Sequence, residues 1–235
     1  MKYSSLALSC ILLSSIGLIS CTDVKTPPKS PEIKHGTSQM PPSRQYYCWD
    51  QQDFNNGSEN IKNAACREAF TAAGDADWER ARLFNDWNAY SQNIPEGTKP
   101  EDVAPDGKLC SAGQDRFDSI NIKSAAWHTT NLDVKDGRVQ LTYVASQMHD
   151  PSEFMVYLTD PDNLNWAALK QSPDVKVRLA PDTKGPGTYY LDVQLPAGYA
   201  TDSRSVIFIM WQRHEDPARE TFFSCSDVVL VNAKG

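Results

Sequence analysis

Hydrophobic and polar positions alternate along several short segments in the second half of the chain. The clearest is a segment in which Val139, Leu141, Tyr143 and Ala145 are separated mainly by polar residues. A period of two is typical of a half-buried strand. Five later segments are also predicted to be strands, at Phe154 to Thr159, Val175 to Ala180, Thr188 to Leu195, Ser205 to Gln212 and Phe222 to Val231. Several short strands in one late block predict an all-β domain, an antiparallel β-sandwich.

The first half of the domain has a different pattern. Ser58 can cap a helix that runs to about Ala73, with apolar residues roughly along one stripe. A second helix is predicted from about Ala76 to Trp87, and the segment from Asn88 to Ser119, rich in Pro, Gly and Asp, is predicted to be a loop. This partly helical region is therefore expected as an insertion between the first strand and the rest of the sandwich.

The front of the chain is typical of an exported protein. Residues 1–21 contain one lysine followed by an apolar run that is too short to span a bilayer as a stable helix. The run ends at Cys21 in a pattern that resembles the lipobox of bacterial lipoproteins, and an ordinary signal peptide with an incidental cysteine is the alternative. Residues 22–34, rich in Pro, Lys and Thr, predict an extended tether, and residues 35–235 a single domain.

Composition restricts the possible partners and the compartment. The formal net charge of −7 argues against binding to nucleic acid or to an anionic membrane surface. Four cysteines lie beyond the signal segment, at Cys48, Cys66, Cys110 and Cys225. An even number in an exported domain suggests two disulfides, for which spacing alone permits three pairings. A zinc site is the alternative, but no CxxC pair supports it.

Few residues could carry common catalytic chemistry. The chain has four histidines, His35, His128, His149 and His214, and it lacks HExxH, GxSxG and a glycine-rich phosphate loop. A pair of acids for glycoside hydrolysis can always be proposed, but sequence does not set the separation of carboxyl groups that this mechanism needs.

A set of segments in a fixed order gives a more specific indication. They cover nearly all of residues 35–235 and read HGTSQMPPSRQYYC, NAACREAF, LFNDWN, PDGKLCSAG, MHDPSEFMVYLT, VIFIMWQRHEDP and ETFFSCSDVVL. Together they resemble the bacterial lytic polysaccharide monooxygenases of auxiliary activity family 10, formerly called chitin-binding proteins. The resemblance implies a sandwich of the immunoglobulin or fibronectin-III type.

The resemblance also implies a copper site called a histidine brace. The N-terminal histidine of such a protein provides its amino nitrogen and a ring nitrogen, and a second histidine provides another ring nitrogen, a donor set that suits copper. The matching positions are His35 and His149. Phe222 matches the aromatic residue beside the metal, and Glu220 matches a carboxylate that orients the oxidant or moves protons. Trp211 is expected to pack under the site.

Other residues are assigned by the same resemblance. It pairs Cys48 with Cys66 and Cys110 with Cys225. His128 and His214 match no ligand position and are interpreted as surface residues. Gln147 stands where the family commonly has a small alanine, and its longer side chain could crowd the open axial position.

Three aromatic residues near the first motif, Tyr46, Tyr47 and Trp49, are candidates for a flat polysaccharide-binding face, although core packing explains them nearly as well.

The position of His35 raises a question about processing. Family members normally have signal cleavage directly before this histidine, whereas lipidation of Cys21 would leave residues 22–34 attached. The nitrogen of His35 would then be an amide, which is a poor copper ligand. A second cut after Lys34 by a trypsin-like protease would free the amine.

The expected function is copper-dependent oxidative cleavage of crystalline chitin or cellulose, most readily at C1. It would use one copper ion, an external reductant, and hydrogen peroxide or oxygen. The alternatives are a non-catalytic, lipid-anchored polysaccharide binder or adhesin, and a structural β-sandwich with no role on glycans. We expect a monomer in the bacterial cell envelope, held by its lipid at the outer membrane of a Gram-negative cell, or secreted after further processing.

Overall fold

The computed structural model describes residues 35–179, 186–215 and 217–233. The predicted signal segment, the lipidation site at Cys21 and the tether lie outside these residues and stay predictions. The strands are β1 Gly36–Met40, β2 Ser91–Asn93, β3 Thr129–Val134, β4 Arg138–Ala145, β5 Ser152–Thr159, β6 Lys170–Gln171, β7 Val175–Leu179, β8 Gly187–Gln194, β9 Arg204–Arg213 and β10 Glu220–Asn232. The α-helices are α1 Arg44–Gln51, α2 Ala64–Ala72, α3 Asp77–Asn85 and α4 Pro100–Val103.

The strands form two sheets packed as a sandwich. The four-stranded sheet has the order β1-β4-β8-β7, and the larger one has the order β2-β10-β9-β5-β6 with β3 paired to the far part of β10. The predicted β-sandwich is thus confirmed, with one difference. Strand β3 runs parallel to β10, because the chain reaches this edge from the helical insertion instead of from a hairpin.

Strand β9 is buried on both faces, and this gives the domain two cores. Val206, Phe208 and Met210 pack among the helices of the insertion. The alternate residues Ile207, Ile209 and Trp211 face the four-stranded sheet. A strand that is covered on both sides is apolar at nearly every position, and this is why VIFIMW shows no alternation.

The helical insertion differs in detail from the prediction. Ser58 begins a short 3-10 turn, and helix α2 begins only after Asn63, whose side chain accepts a hydrogen bond from the backbone N–H of Cys66 at 2.9 Å. The segment predicted as a loop also contains β2 and the short helix α4. No helix in the described residues is long and apolar enough to cross a membrane.

One disulfide and a buried ion pair fasten the insertion to the sheets, and a second disulfide joins two helices of the insertion. Cys48 bonds to Cys66 between α1 and α2, and Cys110 bonds to Cys225 on β10, as the resemblance implied. Arg44, at the start of α1, donates to the Asp227 carboxylate of β10 at 2.7 Å, and both side chains are almost fully buried. Arg204 donates to the other carboxylate oxygen at 2.8 Å.

Replacing Asp227 with alanine should lower the free energy of unfolding by about 3–5 kcal/mol, because Arg44 would remain buried without its counter-charge. Chemical denaturation measures the change. Asp174→Ala is the matched control, since this half-exposed carboxylate pairs with Arg138 at the surface and should contribute less than about 1 kcal/mol. Equal effects of the two substitutions would contradict this assignment.

Candidate metal centre

The pairing of β1 with β4 fixes the position of His35. Gly36 lies opposite Ala145 in this antiparallel pair. One step further along, the backbone N–H of Ser146 donates to the carbonyl oxygen of His35 at 2.7 Å. The backbone nitrogen of His35 donates in turn to the Ser146 hydroxyl at 2.9 Å. Since His149 follows three residues after Ser146, this pairing brings the two predicted ligands to the same end of the sandwich.

Gly36 allows β1 to lie close to the core. A Cβ atom at this position would lie 2.7 Å from Cε1 of Tyr143, 2.8 Å from the carbonyl oxygen of Val144 and 3.0 Å from the ring of Trp211. Two of these neighbours are buried rings and the third is backbone, so none can move away easily. Only glycine fits here, and the histidine before it is held against the buried aromatic residues.

Two buried aromatic rings lie between the histidines. The ring centroids of His35 and Phe222 are 5.7 Å apart, those of Phe222 and Trp211 are 5.2 Å apart, and those of Trp211 and His149 are 5.7 Å apart. Phe222 and Trp211 are completely buried. The structure therefore brings together four residues that were chosen from the sequence, and Trp211 packs under the site as expected.

His149 is held at both its backbone and its ring. The Tyr189 hydroxyl accepts from the backbone N–H of His149 at 2.7 Å and donates to its carbonyl oxygen at 2.9 Å. The ring nitrogen Nδ1 contacts the Glu215 carboxylate. An ionised carboxylate can only accept hydrogen bonds, so Nδ1 is the donor and the lone pair of the neutral ring is on Nε2.

The Glu220 carboxylate is held by two neighbouring side chains. One carboxylate oxygen accepts from the Ser91 hydroxyl at 3.0 Å, and the other accepts from the Arg213 guanidinium at 2.8 Å. Its charge also acts on the His35 imidazole. The structure thus places Glu220 beside the first histidine, where the sequence comparison expected a carboxylate.

Burial sets the protonation state of His35. It lowers the pKa of the imidazole below its ordinary value, although the charge of Glu220, a hydrogen bond that the ring donates to the Asn88 side chain and the charge of Asp86 act in the opposite direction. The charge of Arg116 assists the lowering. The neutral ring is the form that can bind a metal ion, and this environment favours it at neutral pH.

A cluster of aromatic rings lies next to this site. Trp87 precedes the Asn88 that bonds His35, and its ring centroid is 5.1 Å from that of Tyr46 and 4.9 Å from that of Trp49. Trp49 is 36% exposed. Tyr47 lies outside this aromatic cluster, because its ring stacks on that of His128 at 4.1 Å. His128 and His214 are exposed, as interpreted from the sequence.

Sequence reasoning missed several residues of the site. Glu215, Arg213 and Asn88 all stand within segments that carry the resemblance, yet the resemblance assigns none of them a role. The side-chain amide nitrogen of the half-buried Gln147 donates to the carbonyl oxygen of Met148 at 3.4 Å.

The donor set suits a metal that prefers nitrogen. The described residues contain no group of three or more His, Cys, Asp and Glu side chains that could hold a metal ion. A brace needs only two imidazoles and a backbone nitrogen, and these are present in His35 and His149. Nitrogen ligation of this kind favours copper over magnesium, calcium or manganese.

Comparison with protein families identifies a match over almost the whole domain. A family described as "Lytic polysaccharide mono-oxygenase, cellulose-degrading" matches residues 35–228. Chitin-binding protein CbpD of Pseudomonas aeruginosa is 34% identical over 205 residues, which are 85% of this chain and 48% of that protein. A lytic cellulose monooxygenase of Streptomyces ambofaciens is 32% identical over 214 residues, 86% of this chain and 54% of that protein.

Solved structures agree with these relatives. The cellulose-active LPMO CelS2 in complex with copper is similar with a TM-score of 0.64 at 31% identity, covering 85% of this chain and 100% of that chain. An LPMO from Kitasatospora papulosa has a TM-score of 0.63 at 27% identity, covering 85% and 100%. The chain spans about half the length of the curated relatives, 48% and 54%.

Replacing Gly36 with alanine should lower the free energy of unfolding by about 1–3 kcal/mol, because the added methyl group overpacks the contact with Val144 and Trp211. Denaturation followed by tryptophan fluorescence checks this. If Gly36→Ala is as stable as the parent protein, then β1 does not lie as close to Val144 and Trp211 as described.

Proposed function

The chain belongs to the lytic polysaccharide mono-oxygenase family, and on that premise we propose that it cleaves a crystalline β-1,4-linked polysaccharide by copper-dependent oxidation. Cellulose and chitin are the two candidate substrates, since the relatives include both a cellulose monooxygenase and a chitin-binding protein. The proposed oxidation is at C1. Hydrogen peroxide would provide one oxygen atom to the C1–H bond and leave as water. The hydroxylated carbon then loses the neighbouring sugar as an alcohol, which breaks the glycosidic bond and leaves a lactone that hydrates to an aldonic acid.

One observation carries this proposal. The rings of His35 and His149 flank the same pair of buried aromatic residues, and the backbone nitrogen of His35 points to Ser146, three residues before the second histidine. A structural β-sandwich without a role on glycans gives no reason for this arrangement.

His35 would hold copper through its backbone nitrogen and its ring, and His149 through its ring. When bound and reduced by an external donor, copper supplies the redox chemistry with hydrogen peroxide or oxygen. The protein residues act around it. Phe222 has no donor atom and excludes water from one side of the histidines, so the ligand environment stays apolar there.

Glu220 is placed to hold or move a proton beside the site. Its carboxylate is fixed by Ser91 and Arg213, so it cannot turn freely toward solvent. A carboxylate held within reach of a reacting oxygen can orient it by hydrogen bonding or exchange a proton with it. Gln147 extends the polar surface near His149, in place of a small residue, and we infer that it would narrow access to a metal ion held by the two histidines.

The proposed substrate face consists of the aromatic cluster of Tyr46, Trp49 and Trp87. A flat aromatic surface suits the apolar face of a sugar ring, and the partly exposed Trp49 offers such a surface. Trp87 joins this face to the site, because the next residue bonds the His35 ring.

The proposal requires a free amine at His35. A peptide bond from Lys34 would turn this nitrogen into an amide, which offers copper no lone pair unless it is deprotonated. We therefore propose cleavage after Lys34 in the functional protein, which we expect to act as a monomer at the cell envelope or outside the cell.

A protein that starts at His35 should bind copper and release aldonic-acid oligosaccharides from cellulose or chitin when given a reductant and hydrogen peroxide. Mass spectrometry of the soluble products measures this. A matched form that retains Lys34 should release at least about 100-fold less, because one of the nitrogen donors is lost. His149→Ala in the His35 form should be equally inactive.

Two results would overturn the proposal. If the His35 form binds copper but releases no oxidised products from either polymer, a polysaccharide-binding protein is the better assignment. If the form with Lys34 is as active as the His35 form, the amine is not a ligand.

Trp49→Ala should weaken binding to the insoluble polymer by about fivefold or more, in the range typical of an aromatic contact residue. Pull-down of the protein with cellulose and with chitin measures the effect. Trp78→Ala is the matched control, because Trp78 is 66% exposed but lies at the start of α3, outside the aromatic cluster. Equal losses for the two variants would remove Trp49 from the substrate face.

A further inference from the structure

The turn between β9 and β10 carries three charged residues that connect the two halves of the candidate copper site. Arg213 ends β9, Glu220 begins β10, and Glu215 lies in the turn between them. The backbone N–H of His214 donates to the carbonyl oxygen of Pro151 at 3.1 Å. This bond fastens the turn to the chain just after His149, so the position of Glu215 is set relative to the histidine that it contacts.

Glu215 provides a carboxylate contact to the ring of His149. Tyr189 binds the backbone N–H and carbonyl of this histidine, and the Ser152 hydroxyl donates to the same carbonyl oxygen at 2.8 Å. These contacts fix the backbone of His149, and its buried ring packs against Trp211. The contact between Nδ1 and Glu215 gives the ring a polar partner and places the proton on Nδ1.

Arg213 holds Glu215 and Glu220 at the same time. One guanidinium nitrogen lies 3.4 Å from a carboxylate oxygen of Glu215, and another lies 2.8 Å from a carboxylate oxygen of Glu220. Two carboxylates this close to one another repel, and a guanidinium between them offsets the repulsion while its planar fork sets both orientations. The Arg213 side chain is only 12% exposed, so solvent screens these contacts weakly.

We propose that Glu215 is a positioning residue that fixes the ring orientation and tautomer of His149, and that Arg213 holds it there and couples it to Glu220. One guanidinium then sets both a ligand on one side of the site and the proton-handling carboxylate on the other. The importance of this network for copper rests on the proposed function, whereas its effect on the His149 ring exists in the metal-free protein.

The first test uses the metal-free protein that starts at His35. Long-range proton–nitrogen NMR at a pH where the rings are neutral should show His149 with its proton on Nδ1. Glu215→Ala should shift this ring toward a mixture of tautomers. Glu215→Gln should restore the Nδ1–H form, because its amide oxygen still accepts a hydrogen bond. Glu153→Gln is the matched control, since Glu153 contacts the exposed His214 and its loss should leave the His149 signal unchanged.

The second test measures copper(II) affinity by calorimetry. Glu215→Ala should weaken binding by about 10- to 100-fold, as is usual when the partner of a ligating histidine is removed. Arg213→Gln should act in the same direction with a smaller loss. The double variant should bind no more weakly than Glu215→Ala alone, because the two residues act through the same ring. Thermal unfolding of each metal-free variant checks that the fold is intact.

Two results would overturn the proposal. The first is a proton on Nε2 of His149 in the parent protein. The second is a Glu215→Ala variant with an unchanged tautomer and a copper affinity within about twofold of the parent, since loss of a ligand's partner should weaken binding far more. A different result separates it from the proposed function. If the parent protein shows the Nδ1–H form and its loss in Glu215→Ala, but binds no copper, then the positioning role stands and the copper enzyme does not.

Discussion

The site depends on the backbone pairing between the first described strand and β4. Reciprocal hydrogen bonds between His35 and Ser146, at 2.7 Å and 2.9 Å, fix both the carbonyl and the nitrogen of the histidine. The same short segment of chain then reaches His149, so a single strand pairing sets the relative position of two residues 114 positions apart in the sequence. This arrangement tolerates no side chain at Gly36, because the strand must lie against Trp211.

The rest of the fold keeps this end of the sandwich rigid. Strand β10 carries Glu220 and Phe222 at the site, and further along the same strand Cys225 and Asp227 are tied to the helical insertion by a disulfide and a buried ion pair. The insertion in turn provides Asn88 beside His35 and the aromatic cluster beside Asn88. The proposed polysaccharide face and the two histidines are therefore held in place by the same two sheets and insertion.

A feature of the fold could be predicted when residues close together in the sequence cause it, and could not when it depends on tertiary contacts. The later strands could be predicted because alternation reflects burial on one face, which each segment carries by itself. The sequence pattern predicts too early a start for α2. Both Ser58 and Asn63 can cap a helix, and only tertiary packing decides between them. Strand β1, GTSQM, has no apolar alternation, and β3 has only the two apolar residues Leu132 and Val134, so neither strand has a strong local signal. Ordered motifs indicated His35, His149, Glu220 and Phe222, but Glu215 contacts His149 across 66 positions and had no local signal.

Electron paramagnetic resonance of the copper(II)-loaded protein that starts at His35 tests the central claim most directly. If His35 and His149 form one copper site, the spectrum should show coupling to the amino nitrogen and to one ring nitrogen from each histidine. It should change when Lys34 is left attached, since the amino nitrogen is then an amide. A spectrum that is the same with and without Lys34, and the same in His149→Ala, would show that copper binds elsewhere and would contradict the account.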